Sequence, residues 1–129
     1  MILLDTHTWL WWVQGSSSLP KKAVDRIRSA DVVAVASVSC LEVAWLAKKG
    51  RVVLPGTVEQ FFEEALGKAG LHLLPLTPRI AAQAVALPDI HRDPIDRVIV
   101  ATAIELGAEL ASKDEFIAKY PGVAVLWND

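Results

Sequence analysis

The chain has 129 residues, of which 53% are hydrophobic and 22% charged, a composition typical of one compact domain that excludes a disordered chain. The formal net charge of −2 excludes a broad basic surface, so a bound polyanion would need a local basic patch or a metal ion. We therefore expect a single soluble domain over residues 1–129.

The first third of the chain predicts two buried strands with helices between them. Residues 1–4 form an apolar run that stops at an aspartate, and residues 9–13 have a helical pattern. After the break at "QGSSSLP", Ser18 is expected to cap a helix over residues 20–30. The β-branched run at residues 32–36 predicts the second strand.

The middle of the chain continues the alternation of helices and strands. Ser39 is expected to open a helix that ends in two lysines and a glycine at residue 50. Thr57 is expected to cap a helix over residues 58–70, and residues 71–76, "LHLLPL", predict a strand. Thr77 is expected to cap the next helix, "PRIAAQAVAL".

The last third completes the predicted architecture. A long helix is expected from the motif "HRDPIDRVIV" to about Leu106, with Gly107 as its stop. Strands are expected at residues 108–111 and 123–127, with a short helix at 114–120 between them. Strands that alternate with helices indicate a three-layer α/β/α domain around a mostly parallel sheet of about five strands.

Features outside these elements predict a cytoplasmic protein without a membrane anchor. The single cysteine, Cys40, fits a reducing compartment, and its apolar neighbours favour a small core residue over a reactive thiol. Asp5 interrupts the first apolar run, which argues against a secretory signal. The apolar stretch 32–47 contains Glu42 and is too short to span a bilayer.

The motif at residues 91–100 places two aspartates at the start of the long helix. Asp93 is a favoured N-cap, Pro94 suits the first helical position, and Asp96 falls in the first turn, where a carboxylate meets the positive end of the helix dipole. Taken alone, these residues are explained by helix capping. The rest of the chain decides whether one of the two aspartates has another role.

Acidic residues recur where the predicted strands end. Asp5 and Asp114 follow the first and fourth strands, while Glu42 and Asp96 are expected in the first turns of helices. Parallel strands bring these positions to one edge of the sheet, where ligands bind in such folds. Each acid has a local alternative, such as a capping box from Ser39 to Glu42 or an N-cap at Asp114, but independent capping does not explain why all lie at one edge.

Helix phase predicts that two of these acids point toward the protein. Asp96 shares a helix face with Ile99 and Val100, and Glu42 shares one with Trp45 and Leu46. Inward carboxylates need partners, and the basic residues nearby (Arg92, Arg97 and Lys113) are too few and too peripheral. A divalent cation with oxygen ligands, Mg²⁺ or Mn²⁺, is the expected partner.

Four ordered segments resemble the motifs of PIN-domain nucleases, especially the VapC-type toxins of toxin–antitoxin operons. These segments are "MILLDTHTWLWW", "SVSCLEVAWLAKKGRV", "HRDPIDRVIVATAIELGAEL" and "SKDEF", and the resemblance covers essentially the whole chain. The resemblance implies Asp5, Glu42, Asp96 and Asp114 as the four acids in order, which leaves Asp93 as the helix cap. Ser112 stands where the family more often has threonine, so a hydroxyl is retained.

The resemblance also implies an activity and its participants. We expect an endoribonuclease dependent on Mg²⁺ or Mn²⁺, with Asp5 and Asp96 as metal ligands and with Glu42 and Asp114 holding metal-bound waters or acting as general base. Thr6 and Ser112 are expected to orient carboxylates. The expected partners are an RNA substrate, a small antitoxin protein and a second copy of the chain.

The aromatic side chains support weaker expectations. His7, His91 and His72 are more often structural than functional at such positions. Tryptophans 9, 11, 12 and 45 could stack on bases, but at helical spacing they more often build a core or a partner interface, and an interface is the first expectation.

Two other functions remain open at this point. A haloacid-dehalogenase-like or receiver-like phosphoryl-transfer domain also has an aspartate after its first strand, but "DTHT" lacks the second aspartate of those phosphatases. A non-catalytic module with the same fold is the other alternative, and the presence of all four acids argues against it.

Overall fold

A computed structural model describes residues 1–127 of the chain. Its five strands form one parallel sheet, and each is only three or four residues long. They are β1 (Ile2–Leu4), β2 (Val33–Ala36), β3 (His72–Leu74), β4 (Glu109–Ala111) and β5 (Ala124–Leu126). The strand order is β3-β2-β1-β4-β5, with every neighbouring pair parallel.

Within residues 1–127, six α-helices cover the two faces of this sheet. They are α1 (Thr6–Gln14), α2 (Lys21–Ser29), α3 (Ser37–Lys48), α4 (Val58–Phe62), α5 (Pro78–Ala86) and α6 (Pro94–Leu106). The chain continues from α4 into a π-helical stretch, Glu63–Lys68, and forms a 3₁₀ turn at Ile117–Lys119. The predicted three-layer α/β architecture is confirmed.

Short strands suffice here because the central ones are buried on both faces. Leu3 pairs with Ala34 on one side and with Leu110 on the other, and all three side chains are fully buried. They pack with Ile99 and Val100 of α6, whereas Leu4 on the opposite face packs in a core that includes Trp9 of α1. Burial on both faces explains why the strand segments are continuous apolar runs rather than alternating patterns.

The strand order reverses at β1, whose neighbours are β2 and β4. The connections from β1 and β4 leave in different directions, so a crevice opens beyond their carboxyl ends, which is where ligands bind in open parallel sheets. Asp5 and Ser112 directly follow these two strands. The topology therefore places the end of "ILLD" and the start of "SKD" at the crevice.

Several helix ends are as the sequence predicts. Thr57 and Gln60 form a reciprocal capping box, and Thr77 caps α5 through the amide of Ile80. Asp93 caps α6, with its Oδ1 accepting from the amide of Ile95 at 2.9 Å. Gly107 ends α6 with φ of 63°, a left-handed conformation that favours glycine.

Other predicted boundaries are wrong. Ser18 does not cap α2, which begins after Pro20 without a side-chain cap. α3 begins at Ser37 rather than Ser39, so the Ser39-x-x-Glu42 capping box does not form and Glu42 lies in the second turn rather than the first. The sequence prediction chose Ser39 as the helix start and left Ser37 outside the helix, although both serines are helical.

Two further segments differ from the prediction. The helix expected at residues 9–13 starts at Thr6, which makes Asp5 its N-cap. The helix expected at 114–120 is a single 3₁₀ turn at Ile117–Lys119. None of the helices within residues 1–127 is long and apolar enough to cross a membrane.

Candidate metal centre

A cavity of about 550 Å³ opens at the carboxyl ends of β1 and β4. All four acids singled out in the sequence, Asp5, Glu42, Asp96 and Asp114, line it. The other lining residues are His7, Trp11, His91, Asp93, Lys113 and Glu115. Six carboxylates and one lysine give this cavity a strongly negative lining, in a chain whose net charge is only −2.

Asp5 is held at the junction of β1 and α1. Its Oδ1 accepts a hydrogen bond from the amide of Thr8 at 2.9 Å, and only 8% of the residue is exposed. Asp5 therefore has a local structural role as the N-cap of α1, in addition to its place at the cavity. The cap uses one carboxylate oxygen and fixes the side-chain direction.

Glu42 points into the protein from the second turn of α3. Its Oε1 is fully buried and has no hydrogen-bond partner within residues 1–127. The expected inward direction of Glu42 is confirmed, but Trp45 on the same helix is 48% exposed. A buried carboxylate oxygen without a donor costs free energy, so this atom requires a partner that residues 1–127 do not supply.

Asp96 shares the inner face of α6 with Ile99 and Val100, as predicted, and those two side chains are fully buried. Burial, and next to it the negative charge of Asp93, raise the pKa of its carboxyl from the ordinary 3.8 to about 7. His91 opposes the shift, whereas Glu42 and Asp114 add to it. A carboxyl whose pKa is raised first by burial and then by neighbouring negative charges is typical of a functional site.

Asp114 is fixed by the hydroxyl of Ser112 and by the backbone that follows. The amide of Asp114 donates to Ser112 Oγ at 3.1 Å, and its Oδ1 accepts from the amide of Phe116 at 2.8 Å. Oδ2 remains directed at His91. Ser112 therefore positions Asp114 through the main chain rather than by contacting a carboxylate.

His91 is the site residue that sequence reasoning missed. Its Nε2 lies 2.9 Å from Oδ2 of Asp114 and 3.2 Å from Oδ2 of Asp96. Ligand atoms of these three residues lie within 4.8 Å of one another, a spacing that a metal ion could bridge. We expected a structural loop histidine, and the only available signal was its position two residues before the capping aspartate.

Arg97 does not neutralise the acids. Its guanidinium donates five hydrogen bonds to backbone carbonyl oxygens at the end of α5 and in the loop to α6, namely those of Ala84, Val85, Leu87, Pro88 and His91. Arg92 and Lys113 are exposed. The expectation that these three cations leave the acids unbalanced is confirmed by these contacts.

The remaining candidate residues divide between core and cavity. Thr6 Oγ1 donates to Ser39 Oγ at 3.0 Å, so its described contact ties α1 to α3 rather than orienting a carboxylate. Trp9 is fully buried in the core, contrary to the expected interface, while Trp11 lines the acidic cavity and contacts the ring of Trp127. His7 lines the cavity and is exposed.

Cys40 and His72, also singled out in the sequence, lie away from the cavity. Cys40 is half-buried against the core that contains Trp9, and burial raises the pKa of its thiol. This agrees with the prediction of an apolar-packed cysteine. His72 is exposed on the edge strand β3.

The chain is similar to known proteins along almost its whole length. Ribonuclease VapC22 of Mycobacterium tuberculosis (strain ATCC 25618 / H37Rv) is 37% identical to the chain over 98% of both proteins. A toxin–antitoxin complex from Klebsiella pneumoniae matches all of both chains with a TM-score of 0.69 and 23% identity. VapBC2 of Rickettsia felis, solved with a DNA fragment from its promoter, matches all of both chains with a TM-score of 0.70 and 15% identity.

The two solved structures share too little sequence to indicate more than a common fold. The family match is more extensive, since the PIN domain model matches residues 2–123, a range that includes all four acids and His91. Together with the parallel sheet and the acidic crevice, this match identifies the chain as a member of the PIN domain family.

Proposed function

We propose that the protein is a metal-dependent endoribonuclease that hydrolyses RNA phosphodiester bonds, and that it is the toxin of a toxin–antitoxin pair. The observation that carries the proposal is the convergence of Asp5, Glu42, Asp96 and Asp114 on one cavity in a PIN domain. The 37% identity to a VapC ribonuclease supports RNA as the substrate.

The residues of the cavity fit a hard divalent cation. Glu42 has a buried oxygen without a partner, Asp96 has a pKa of about 7 from burial and neighbouring charge, and the lining is rich in carboxylates. We propose Asp5 and Asp96 as the metal ligands and Mg²⁺ as the ion, with Mn²⁺ as a substitute. When bound, such an ion activates water and stabilises developing negative charge on phosphate.

The protein's own side chains would divide the remaining work. Asp5 keeps one oxygen for its helix cap and presents the other to the cavity. Glu42 and Asp114 would orient the attacking water or accept its proton. Lys113 is the single cation among the lining residues and would contact a phosphate oxygen of the substrate.

We further propose the partners and setting of a VapC-type toxin. A small antitoxin would occlude the acidic cavity, and two copies of the chain would form a homodimer in the cytoplasm. Exposed Leu41 and Leu76 are candidate dimer contacts: the amide of Leu76 donates to Ser37 Oγ at 3.2 Å, one helical turn before Leu41. Residues 1–129 would constitute a single nuclease domain.

The test is to incubate the purified protein with a panel of cellular RNAs and Mg²⁺, with mapping of the cleaved ends. Cleavage that EDTA abolishes and that Asp96→Asn lacks is the expected result. Cleavage undiminished in EDTA would contradict the metal dependence. The control variant is Asp31→Asn, which removes an exposed carboxylate outside the cavity.

The same preparation tests the alternatives. Release of phosphate from a small phosphoester, with no effect on RNA, would indicate a phosphoryl-transfer domain. Failure to bind Mn²⁺ in a calorimetric titration, together with intact RNA, would indicate a non-catalytic module.

A further inference from the structure

A second cavity, of about 380 Å³, adjoins the acidic one. The two cavities share Glu42 and Asp93 as lining residues, so they meet at these side chains. The second cavity is also lined by Trp45, Lys49 and Arg51. Its lining therefore adds basic and aromatic side chains that the acidic cavity lacks at this end.

The basic side chains come from the last turn of α3 and the residues that follow it. Gly50, with φ of 71°, lets the chain reverse, so that the amide of Arg51 donates to the carbonyl of Leu46 at 2.9 Å and that of Gly50 to Ala47 at 3.1 Å. This pair of bonds is a Schellman motif. It fixes the backbone of Arg51 on the same side of the helix end as Leu46, at the wall of the second cavity.

These cations are not neutralised by neighbouring acids. Within residues 1–127, no carboxylate forms a salt bridge with Lys48, Lys49 or Arg51. Three cations within four positions are a local positive patch on a chain with net charge −2. Such a patch favours a polyanion at this surface.

Trp45 supplies a flat surface beside the patch. It is 48% exposed, and no aromatic ring within residues 1–127 stacks on it. The ammonium groups of Lys48 and Lys49 lie 5.2 and 5.8 Å from its ring centroid. An exposed aromatic ring beside cations that form no salt bridge within residues 1–127 is the combination with which proteins hold single-stranded nucleic acid.

We propose that Trp45, Lys49 and Arg51 form a subsite for single-stranded RNA, in which a base next to the cleaved phosphodiester stacks on Trp45 and the flanking phosphates contact Lys49 and Arg51. The subsite deepens the proposed nuclease function and rests on it. The volume of the cavity lies in the range of pockets that bind small molecules, so it accommodates a nucleotide. Since stacking does not distinguish bases, the subsite would hold the strand with little sequence preference.

Charge favours RNA over a second copy of the chain as the occupant. Leu41, proposed above as a dimer contact, lies one helical turn before Trp45, so a dimer interface would border the patch. An interface centred on the patch would instead place Lys49 and Arg51 against the same residues of the copy, and like charges repel. A strand that leaves the acidic cavity reaches the patch directly across Glu42 and Asp93. Phosphates beyond the metal centre then meet positive rather than negative charge.

The first test measures the affinity of a fluorescein-labelled single-stranded RNA of about ten nucleotides by anisotropy, in EDTA and again with Ca²⁺. Lys49→Glu/Arg51→Glu should weaken binding and reduce the slope of log affinity against log salt by about 1.4, since each phosphate contact on a single strand contributes about 0.7. The control Lys21→Glu/Lys22→Glu makes the same change of charge on exposed α2 residues and should leave the RNA affinity and its salt slope unchanged. Equal losses in both variants, or no binding by wild type in either condition, would overturn the subsite.

The second test separates stacking from protein contact. Trp45→Leu should weaken RNA binding about five- to 150-fold, whereas Trp45→Phe should retain most of the affinity. Sedimentation of the same variants reports the oligomeric state. If Trp45→Leu and Trp45→Phe bind RNA equally, or if Trp45→Leu changes only the oligomeric state, the face is an interface between copies and the proposal is wrong.

Binding and cleavage are measured separately, so the two proposals fail separately. Specific loss of RNA affinity in the subsite variants, with no cleavage of any RNA by wild type in Mg²⁺, would retain the subsite and reject the nuclease. Metal-dependent cleavage with the same KM in wild type and Lys49→Glu/Arg51→Glu would retain the nuclease and reject the subsite.

Discussion

The Nε2 of His91 lies 2.9 Å from Oδ2 of Asp114, on the side of the imidazole that faces the acidic cavity. The amide of Asp93 donates to the opposite ring nitrogen, Nδ1, at 3.3 Å. A neutral ring that accepts at Nδ1 carries its proton on Nε2, so His91 donates toward Asp114 and, at 3.2 Å, toward Asp96. His91 thus holds together two carboxylates that repel each other.

The first prediction follows from this arrangement. His91→Ala should destabilise the metal-free protein by about 1.5–3 kcal/mol, because a hydrogen bond to a charged group is lost and two carboxylates lose their shared donor. Saturating Mg²⁺ should restore part of the loss, because a cation supplies the missing positive charge. Thermal melts in EDTA and in Mg²⁺ measure both effects.

His72→Ala is the matched control, since His72 is exposed on β3 and is not among the residues that line the acidic cavity. It should melt like wild type under both conditions. A His91→Ala protein that is as stable as wild type in EDTA would show that the imidazole does not hold the carboxylates.

His91 and Arg97 also show where prediction from sequence stops. The alternation of apolar runs and helical segments was sufficient for the five parallel strands, and the end of each strand located Asp5 and Asp114 at one edge. The bond from His91 to Asp114 connects residues 23 positions apart, and the five bonds of Arg97 depend on how the loop before α6 folds back. Neither leaves a periodic or capping signal.

Local signals also failed where two of them competed. Ser37 and Ser39 are both plausible helix starts, and the choice of Ser39 put Glu42 one turn too early. Ser39 is fully buried and accepts from Thr6, a tertiary contact that overrides its capping tendency. Asp93 had no such competitor, and its predicted cap is confirmed.

The second prediction concerns Arg97, which fastens the loop that carries His91. Arg97→Lys keeps the charge but cannot make the forked set of bonds to carbonyls of α5 and the loop. We expect a loss of about 2–4 kcal/mol in stability, since at least two hydrogen bonds from a charged donor are lost. Amide hydrogen exchange should accelerate within residues 84–91.

The matched control is Arg92→Lys, because Arg92 is exposed in the same loop. Its exchange rates and stability should be those of wild type. Faster exchange spread evenly over the whole chain in Arg97→Lys, rather than concentrated in this loop, would contradict a local fastening role.

The third prediction separates the two aspartates of "HRDPID". Asparagine caps a helix about as well as aspartate, so Asp93→Asn should leave stability nearly unchanged and retain measurable nuclease activity. Asp96→Asn should abolish nuclease activity. Because the charge of Asp93 raises the pKa of Asp96, its removal should lower that pKa below about 7. A carbon-13 NMR titration of the Asp96 carboxyl measures the shift.

Asp89→Asn serves as the control, because this exposed loop residue is not among the causes of the Asp96 shift. An unchanged titration of Asp96 in Asp93→Asn would mean that burial alone sets its pKa. Equal loss of activity in Asp93→Asn and Asp96→Asn would mean that the catalytic acid has been assigned to the wrong aspartate.

The last prediction is that Asp96→Asn stabilises the metal-free protein in a way that depends on pH. The folded pKa of Asp96, about 7, lies above its ordinary 3.8, so the folded state keeps a proton that the unfolded state has lost between these values. Stability from this group is therefore fully present below about pH 4 and is lost as pH rises through 7. Asparagine stays neutral and avoids that loss, at the cost of about 0.3–1 kcal/mol of helix-dipole stabilisation.

In EDTA, the Tm of the mutant should therefore equal that of wild type near pH 4. Between pH 4 and pH 7 the Tm of the mutant should exceed that of wild type by a growing margin, and at higher pH this margin should stay constant. Each kcal/mol of relief corresponds to about 2–8 °C in Tm. Mg²⁺ should reverse the order at pH 8, because wild type gains a metal ligand that the mutant lacks, while the exposed control Asp31→Asn should follow wild type throughout. If Asp96→Asn melts below wild type in EDTA at pH 8, the carboxylate of Asp96 chiefly starts α6, and its burial among like charges costs less than its helix-dipole interaction contributes.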